Sequence, residues 1–106
     1  MSIVAVTVCR PKKGKNAELL SLLKLHLTVL RRGGYVSRRQ SYLMSSENGS
    51  IVQVFEWLSK KAKEGAHRDQ AWRVLWPQFD KLCKNDLMKD LPEAKKPFAN
   101  FDKIEQ

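Results

Sequence analysis

The chain has 106 residues, 42% of them hydrophobic, which is the size of one domain with a core of its own. No apolar run is long enough to cross a bilayer, and no basic segment precedes the first apolar residues as it would in a secretory signal. The sequence therefore predicts a single domain over residues 1–106, located in the cytoplasm and without membrane contact.

The charge of the chain points to no particular partner. Twenty Lys and Arg residues against eleven Asp and Glu residues give a formal net charge of +9, which attracts polyanions. The basic residues are scattered over positions where loops and helix ends are expected, as on an ordinary solvated surface. Nucleic-acid binding is therefore the less favoured interpretation, and its signature would be an association that depends steeply on salt.

The two cysteines and two histidines show no metal-binding pattern. Cys9 and Cys83 lack a C-x-x-C spacing, and His26 and His67 are too far apart in sequence to form an H-x-x-x-H pair. We predict no metal centre and reduced thiols at both cysteines. His26 lies among leucines and is predicted to be a partly buried structural residue.

The beginning of the chain predicts a strand followed by a helix. Residues 3–9 are rich in β-branched residues and nearly continuous in their apolar character, as in a strand covered on both faces. Asn16 can cap a helix that carries leucines at intervals of three and four residues. Gly33 and Gly34 accept positive φ at little cost and are expected to end it.

A hairpin is predicted next, with strands at residues 35–44 and 50–58 around a turn rich in Ser, Asn and Gly. Side chains alternate along a strand, so one face of the second of these strands carries Ile51, Gln53, Phe55 and Trp57. A mainly apolar face therefore holds one amide, Gln53, near its middle.

Two helical segments are predicted in the second half of the chain. Ser59 can cap a short helical turn that breaks at Gly65. The longer helix that follows places large side chains on one stripe: Trp72, Leu75, Trp76, Phe79, Leu82 and Cys83. Pro77 lies inside this stripe, which predicts either a kink near Arg73 or a fresh helical start at Pro77.

Residues 98–104 are short and aromatic enough for a last strand. The order is then βαββαβ, a ferredoxin-like α+β fold in which a four-stranded antiparallel sheet carries its helices on one face. The other face of the sheet has no helix to cover it. A second copy of the chain is the simplest cover, so we predict a two-fold homodimer.

The segment Ile51 to Ser59 reads IVQVFEWLS, and Ala62, Ala66-His67 and Val74-Leu75-Trp76 follow it. In this pattern the chain resembles the antibiotic biosynthesis monooxygenase family over almost its whole length. That family includes cofactor-independent oxygenases that form quinones, haem-degrading enzymes and proteins of unassigned role. The resemblance implies a dimeric α+β barrel, a small aromatic or apolar ligand between sheet and helices, and no cofactor.

The resemblance also implies roles for single residues. Gln53 falls where the cofactor-independent oxygenases place an asparagine, and it would orient a substrate oxygen. His67 would help to deprotonate a phenol or quinol, since a histidine titrates near neutral pH. The substrate-binding residues are predicted to be Trp57, Trp72, Trp76, Phe79, Tyr35 and Arg39. Core packing for the aromatic stripe, and a salt bridge to Glu56 for one arginine, remain open alternatives.

The chain also departs from the family. Lys63 stands where the oxygenases carry a tyrosine, and their later arginine falls near Pro77. Haem degradation is rejected because the axial histidine of that branch corresponds to Trp76. Two hypotheses follow: a monooxygenase acting on a phenol or quinol, and a non-catalytic ligand-binding or stress-related dimeric module. The missing tyrosine and arginine favour the second.

Overall fold

The computed structural model describes residues 2–105. Its helices and strands follow one another as β1 (Ile3–Pro11), α1 (Asn16–Arg32), β2 (Tyr42–Ser45), β3 (Ile51–Trp57), α2 (Lys60–His67), α3 (Gln70–Arg73), α4 (Trp76–Leu82), β4 (Cys83–Asn85) and β5 (Asp102–Lys103), with 3₁₀ turns at Met88–Asp90 and Pro92–Lys95. None of the helices in this described range has the length and apolar character needed to span a membrane.

The strands form one antiparallel sheet in the order β4-β1-β3-β2-β5. β1 and β3 are its long central pair, in register from Ile3 opposite Trp57 to Cys9 opposite Ile51. Leucines of α1 pack on one face, where Leu23 joins Cys9 and Ile51 in the core. The predicted ferredoxin-like α+β fold, with helices on one face of an antiparallel sheet, is confirmed, and β5 extends the sheet beyond the four strands expected.

The strand that completes the βαββαβ order is β4, which the sequence analysis did not predict. It pairs with the free edge of β1, with Cys9 opposite Asn85. The predicted last strand at residues 98–104 is reduced to Asp102–Lys103, which pairs with β2 at the opposite edge. A strand of three residues directly after a helix is too short to show a period of two, which is why the pattern missed it.

The second strand is also shorter than predicted. Residues 35–44 were expected, whereas β2 covers only Tyr42–Ser45. Val36 still forms an isolated bridge to Trp57, but the chain then leaves the sheet. Residues 38–40, which are Arg-Arg-Gln, are all exposed there. Three consecutive long polar side chains have no apolar layer to pack on, so this stretch stays in solvent.

Helix α1 ends as predicted but begins differently. Asn16 is its first residue and not its cap; Lys15 holds the cap position, and no side chain bonds to the helix start. At the other end Gly34 has a φ of +77°, and the amide of Tyr35 donates to the carbonyl oxygen of Leu30 at 3.1 Å. This is the glycine stop that the sequence predicts.

The helices after the hairpin differ from the prediction in where they break. Ser59 caps α2 as predicted, accepting from the amide of Ala62 at 3.0 Å. However, α2 continues through Gly65 to His67. A Cβ atom at position 65 would lie 3.3 Å from the ring of Tyr35, so the missing side chain serves close packing and not a helix break.

The long helix predicted after residue 67 is divided into α3 and α4. The Asp69 carboxylate caps α3 by accepting from the amide of Ala71 at 2.9 Å. Pro77 lies in the first turn of α4, where its missing N–H has no helical partner to lose. Of the two outcomes predicted for Pro77, the fresh helical start is the one observed.

The sheet face away from the helices is partly covered by the chain itself. Leu91, only 2% exposed, packs there against Val8 and Val52. It belongs to the C-terminal segment, residues 86–105. The sequence predicts that Leu87, Met88 and Leu91 help to cover the core, and that a second copy covers this face of the sheet. The contact of Leu91 with this face was not predicted, because a segment without regular structure gives no periodic signal.

Glu93 holds the C-terminal segment in place. Its carboxylate accepts from the Ser46 hydroxyl at 2.7 Å and from the amide of Glu47 at 2.8 Å. These two bonds, the Glu47 amide first, lower the pKa of Glu93. The rest of this sheet face stays bare: Val4 is 64% and Val6 is 40% exposed.

Candidate ligand-binding site

A cavity of about 230 Å³ opens between the sheet and the helices. β1, α1, α3, α4 and β4 each contribute to its wall, which consists of Thr7, Cys9, Leu23, His26, Trp72, Trp76, Phe79, Asp80 and Asn85. Leu23, Trp72, Trp76 and Phe79 supply the large apolar surfaces of this wall, and Thr7, His26, Asp80 and Asn85 supply its polar groups. Apolar walls with a small number of polar groups are typical of sites for small organic molecules. The cavity is somewhat smaller than a typical site for a drug-sized ligand.

His26 projects from the buried face of α1 and links the cavity wall to the sheet. Its Nε2 atom lies 2.5 Å from Oε1 of Gln53. Its Nδ1 atom accepts a hydrogen bond from the indole N–H of Trp72 at 3.3 Å. The Gln53 amide group in turn donates to the carbonyl oxygen of Leu23 at 3.1 Å. Four residues thus form one continuous chain of hydrogen bonds.

This chain of hydrogen bonds fixes the protonation of His26. An indole N–H can only donate, so Nδ1 of His26 carries no hydrogen and Nε2 does. The ring is therefore neutral, and its Nε2–H donates to Gln53. Burial lowers the pKa of His26, against an opposing effect of the hydrogen bond with Gln53. Both ring nitrogens are engaged, so His26 is a wall of the cavity and not a free base.

Gln53 is where the sequence analysis placed it, on the helix-facing side of β3, but it is only 1% exposed. Its oxygen and its amide nitrogen are both bonded within the protein, to His26 and Leu23. It lies behind His26 and is not part of the cavity wall.

His67 lies elsewhere. Its side chain is exposed, and Nδ1 donates to the carbonyl oxygen of Lys63 at 2.7 Å. Its ring centroid is 5.1 Å from that of Trp72 and 6.1 Å from that of Trp76. Gln53 and His67 therefore share no hydrogen-bond partner. The His67 ring lies beside the two tryptophans that line the cavity and is not itself part of the wall.

The predicted aromatic residues divide into two groups. Trp72, Trp76 and Phe79 line the cavity. Trp57 is buried in the core beside it, with its ring 5.7 Å from that of Trp72. For these residues core packing and cavity wall are not exclusive alternatives, because one stripe of aromatic rings serves both.

Tyr35 and Arg39 do not reach the cavity wall. The Tyr35 hydroxyl donates to the Asp69 carboxylate at 2.7 Å, which raises the pKa of Tyr35 and lowers that of Asp69. Arg39 is exposed, and its guanidinium lies 3.8 Å from the Glu56 carboxylate. The open alternative of a salt bridge between Glu56 and one of the arginines is therefore the one observed.

Cys9 and Cys83 are brought close together by the pairing of β1 and β4, and both are free and buried. Burial, with the neighbouring Cys83 thiol adding to it, raises the pKa of Cys9 to about 12. A thiol that stays protonated is a poor nucleophile. Within residues 2–105 no three His, Cys, Asp or Glu side chains converge as a metal site would require.

Six residues of the wall were not predicted from the sequence: Thr7, Cys9, Leu23, His26, Asp80 and Asn85. For His26 a signal was present: it is the one polar residue on the buried stripe of α1, and Gln53 is the one polar residue on the buried face of β3. When a helix face and a strand face that are otherwise apolar pack together and each carries one polar side chain, these two side chains are expected to bond to each other. A buried polar group needs a hydrogen-bond partner. Asp80 lies one helical turn after Trp76, which places both on one side of α4.

No family model matches the chain, and no curated protein matches it. Solved structures do. SnoaB, a cofactor-independent oxygenase from Streptomyces nogalater, superposes with a TM-score of 0.69 at 15% identity, over 80% of this chain and 86% of that one. Rv0793 from Mycobacterium tuberculosis gives a TM-score of 0.66 at 17% identity, over 81% and 87%.

A NIPSNAP family protein from Agrobacterium tumefaciens also superposes, with a TM-score of 0.56 at 17% identity, over 81% of this chain and 90% of that one. At such identities the likeness concerns the fold alone. These neighbours share the ferredoxin-like α+β fold of this chain, which is the fold class that the sequence predicts.

Proposed function

We propose that the protein binds one small, flat and mainly apolar molecule in the cavity between the sheet and the helices, and that it does so as a homodimer. The observation that carries this proposal is the cavity wall of Trp72, Trp76 and Phe79, closed on the sheet side by a His26 ring whose polar atoms are already bonded. Aromatic walls favour planar ligands through dispersion and offset stacking.

Binding is better supported than catalysis because the imidazole of His26 and the amide of Gln53 are already hydrogen-bonded within the protein. A phenol oxidised by O₂ must first lose a proton to a base. His26 has no free lone pair on its ring nitrogens, and Gln53 lies behind it with its oxygen and nitrogen both bonded. The resemblance to the antibiotic biosynthesis monooxygenase family supports the location of the site, while the chemistry of that family would need groups that are absent from this wall.

The homodimer is supported by the bare part of the sheet. Val4, Val6 and Tyr42 are 64%, 40% and 45% exposed on the face opposite the helices. A contiguous apolar surface of this kind is unusual on a monomer and is typical of an interface. The C-terminal segment covers the neighbouring part of the same face, so a partner has only the remaining part to cover.

Binding can be tested by calorimetry with small aromatic probes such as benzyl alcohol and indole. Asn85 lines the cavity, whereas its neighbour Lys84 projects to the other face of the sheet. Asn85→Phe fills the cavity entrance and is expected to weaken binding at least tenfold, whereas Lys84→Phe leaves it unchanged. Equal affinity in both variants would show that the probes bind elsewhere.

A second candidate function is cofactor-independent monooxygenation of a phenol or quinol. The exposed His67 ring beside Trp72 and Trp76 favours it, as does the structural likeness to SnoaB, an oxygenase. His67 would accept the substrate proton, and the substrate would supply all of the electrons that reduce O₂. One oxygen atom would enter the oxidised product and the other would leave as water.

Oxygen uptake in the presence of quinols tests this second function. Gln53→Ala and His67→Ala should each lower turnover, by about a hundredfold for a true general base. If both variants oxidise every accepted quinol at the original rate, the two roles assigned to these residues are wrong.

A further inference from the structure

We propose that the cavity selects protonated amines, and that Asp80 is the residue that determines this specificity. The ligand would be a small apolar amine whose ammonium group lies between the Asp80 carboxylate and the indole rings of Trp72 and Trp76. This inference rests on the proposed binding function and names the chemical class of its ligand.

The charge of the cavity wall favours a cation. The chain carries 20 Lys and Arg residues and a net charge of +9, yet none of the residues that line the cavity is a lysine or an arginine. Asp80 is the one formally charged side chain among them, since His26 is neutral. An anion entering the cavity would therefore meet one carboxylate and no opposite charge, whereas a cation would be attracted.

The arrangement of the aromatic rings also favours a cation. Trp72 and Trp76 stand nearly perpendicular, with an interplanar angle of 86° and centroids 5.3 Å apart. Phe79 stands at 88° to His26, 5.4 Å away. Rings that meet at right angles around a small space form the kind of aromatic cage that binds ammonium groups through cation–π contacts.

Trp76 already shows such a contact. The guanidinium carbon of Arg73 lies 5.6 Å from the centroid of the Trp76 ring, which is within the range of a cation–π interaction. Asp80 lies four residues after Trp76 on α4, so its carboxylate is on the same side of the helix as this ring. An ammonium group near both would be held by an ion pair and by an indole at the same time.

Lys12, like the Arg73 guanidinium over Trp76, is a cation that could oppose this arrangement. Its ammonium group donates to the main-chain oxygen of Asp80 at 2.7 Å. That bond leaves the carboxylate oxygens of Asp80 to other partners. Lys12 is also exposed, so solvent and salt screen its charge. Removing this charge with Lys12→Met should therefore strengthen, and not weaken, the binding of an amine.

The test compares three ligands of similar shape at neutral pH: benzylamine, benzyl alcohol and benzoate. We expect benzylamine to bind most tightly and benzoate most weakly, with about tenfold between the first two. Asp80→Asn should weaken benzylamine about fivefold, as expected for one partly screened ion pair, and leave benzyl alcohol unchanged. Glu64→Gln removes an exposed carboxylate outside the cavity wall and is the matched control.

These measurements distinguish a failure of amine selection from a failure of the binding site itself. If benzyl alcohol binds as tightly as benzylamine, or Asp80→Asn leaves benzylamine affinity unchanged, amine selection is wrong while a ligand site remains. If none of the three binds, or Asn85→Phe does not affect their binding, the proposed site itself fails and the inference with it. Asp80 is exposed on α4, so thermal unfolding of Asp80→Asn should match that of the original protein.

Discussion

Thr7 carries a buried hydroxyl that has no hydrogen-bond partner among residues 2–105. Burying such a group without a bond costs free energy, and valine has the same shape without the hydroxyl. We expect Thr7→Val to raise the free energy of unfolding by about 1 kcal/mol, which urea denaturation would measure. Valine is also favoured in strands, which acts in the same direction.

Thr7→Ser is the matched control for this prediction. It keeps the hydroxyl and removes a methyl group, so it should be less stable than the original protein. If Thr7→Val were instead destabilised, the hydroxyl would have a partner in solution, and a polar molecule in the adjacent cavity would be the first candidate.

The neutral state of His26 predicts how stability depends on pH. Burial lowers the pKa of His26 in the folded protein below its ordinary value of 6.5. As the pH falls below 6.5, His26 binds a proton in the unfolded chain but resists protonation in the folded protein. The contribution of neutral His26 to the free energy of unfolding is therefore fully present above pH 6.5 and is lost below it. The free energy of unfolding should therefore decrease between about pH 7 and about pH 5.5.

His26→Gln isolates the contribution of this residue. Glutamine can still bond to Gln53 but does not titrate, so the variant should lose less stability between the same two pH values. The hydrogen-bonded Glu93 carboxylate also stabilises the folded protein less in acid, but this loss begins only as the pH approaches 4.5, the ordinary pKa of its carboxyl group. An equal loss in both proteins would mean that His26 is not the group responsible.

At the level of the elements, the parts that the sequence predicted are those with a strong period or a specific end signal. The leucine stripe of α1, its glycine stop and the Ser59 cap of α2 are examples. The misses were β4, which is three residues long, and the C-terminal segment, whose contact with the sheet depends on single residues such as Leu91. Neither leaves a repeating pattern in the sequence.

The contact of the C-terminal segment with the sheet can be tested through Leu91. This side chain is 2% exposed, and truncating a fully buried leucine leaves a cavity. Leu91→Ala should lower the free energy of unfolding by about 3 kcal/mol. Leu87, in the same segment, is 58% exposed, so Leu87→Ala should change it by less than about 0.5 kcal/mol. Similar effects of the two substitutions would contradict the observed packing.

Only part of the candidate site was predicted, because the rest depends on how elements that are distant in the chain pack together in the whole molecule. The aromatic stripe was visible because it is local, and Trp72, Trp76 and Phe79 do line the cavity. The expected meeting of Gln53 with His67 depends on how β3 and α2 pack. The structure pairs Gln53 with His26 instead, through a contact between residues 27 positions apart in the chain.

The proposed homodimer gives a prediction at the same scale. Val6 lies on the bare sheet face, so Val6→Glu would bury a carboxylate without a partner in each subunit of a dimer. We expect the dissociation constant of the dimer to rise by at least about a hundredfold in analytical ultracentrifugation. Val74 is 50% exposed in the helical layer, and Val74→Glu should leave it unchanged. A protein that sediments as a monomer at every concentration would contradict the proposed dimer.

Strand β1 contributes to both sides of the sheet at once. Thr7 and Cys9 line the cavity, and the alternate residues Val4 and Val6 lie on the bare face. A shift of this one backbone therefore moves both rows of side chains together. If self-association changes ligand affinity by some factor, the ligand changes self-association by the same factor. Ligand affinity would then depend on protein concentration and differ between micromolar and nanomolar protein.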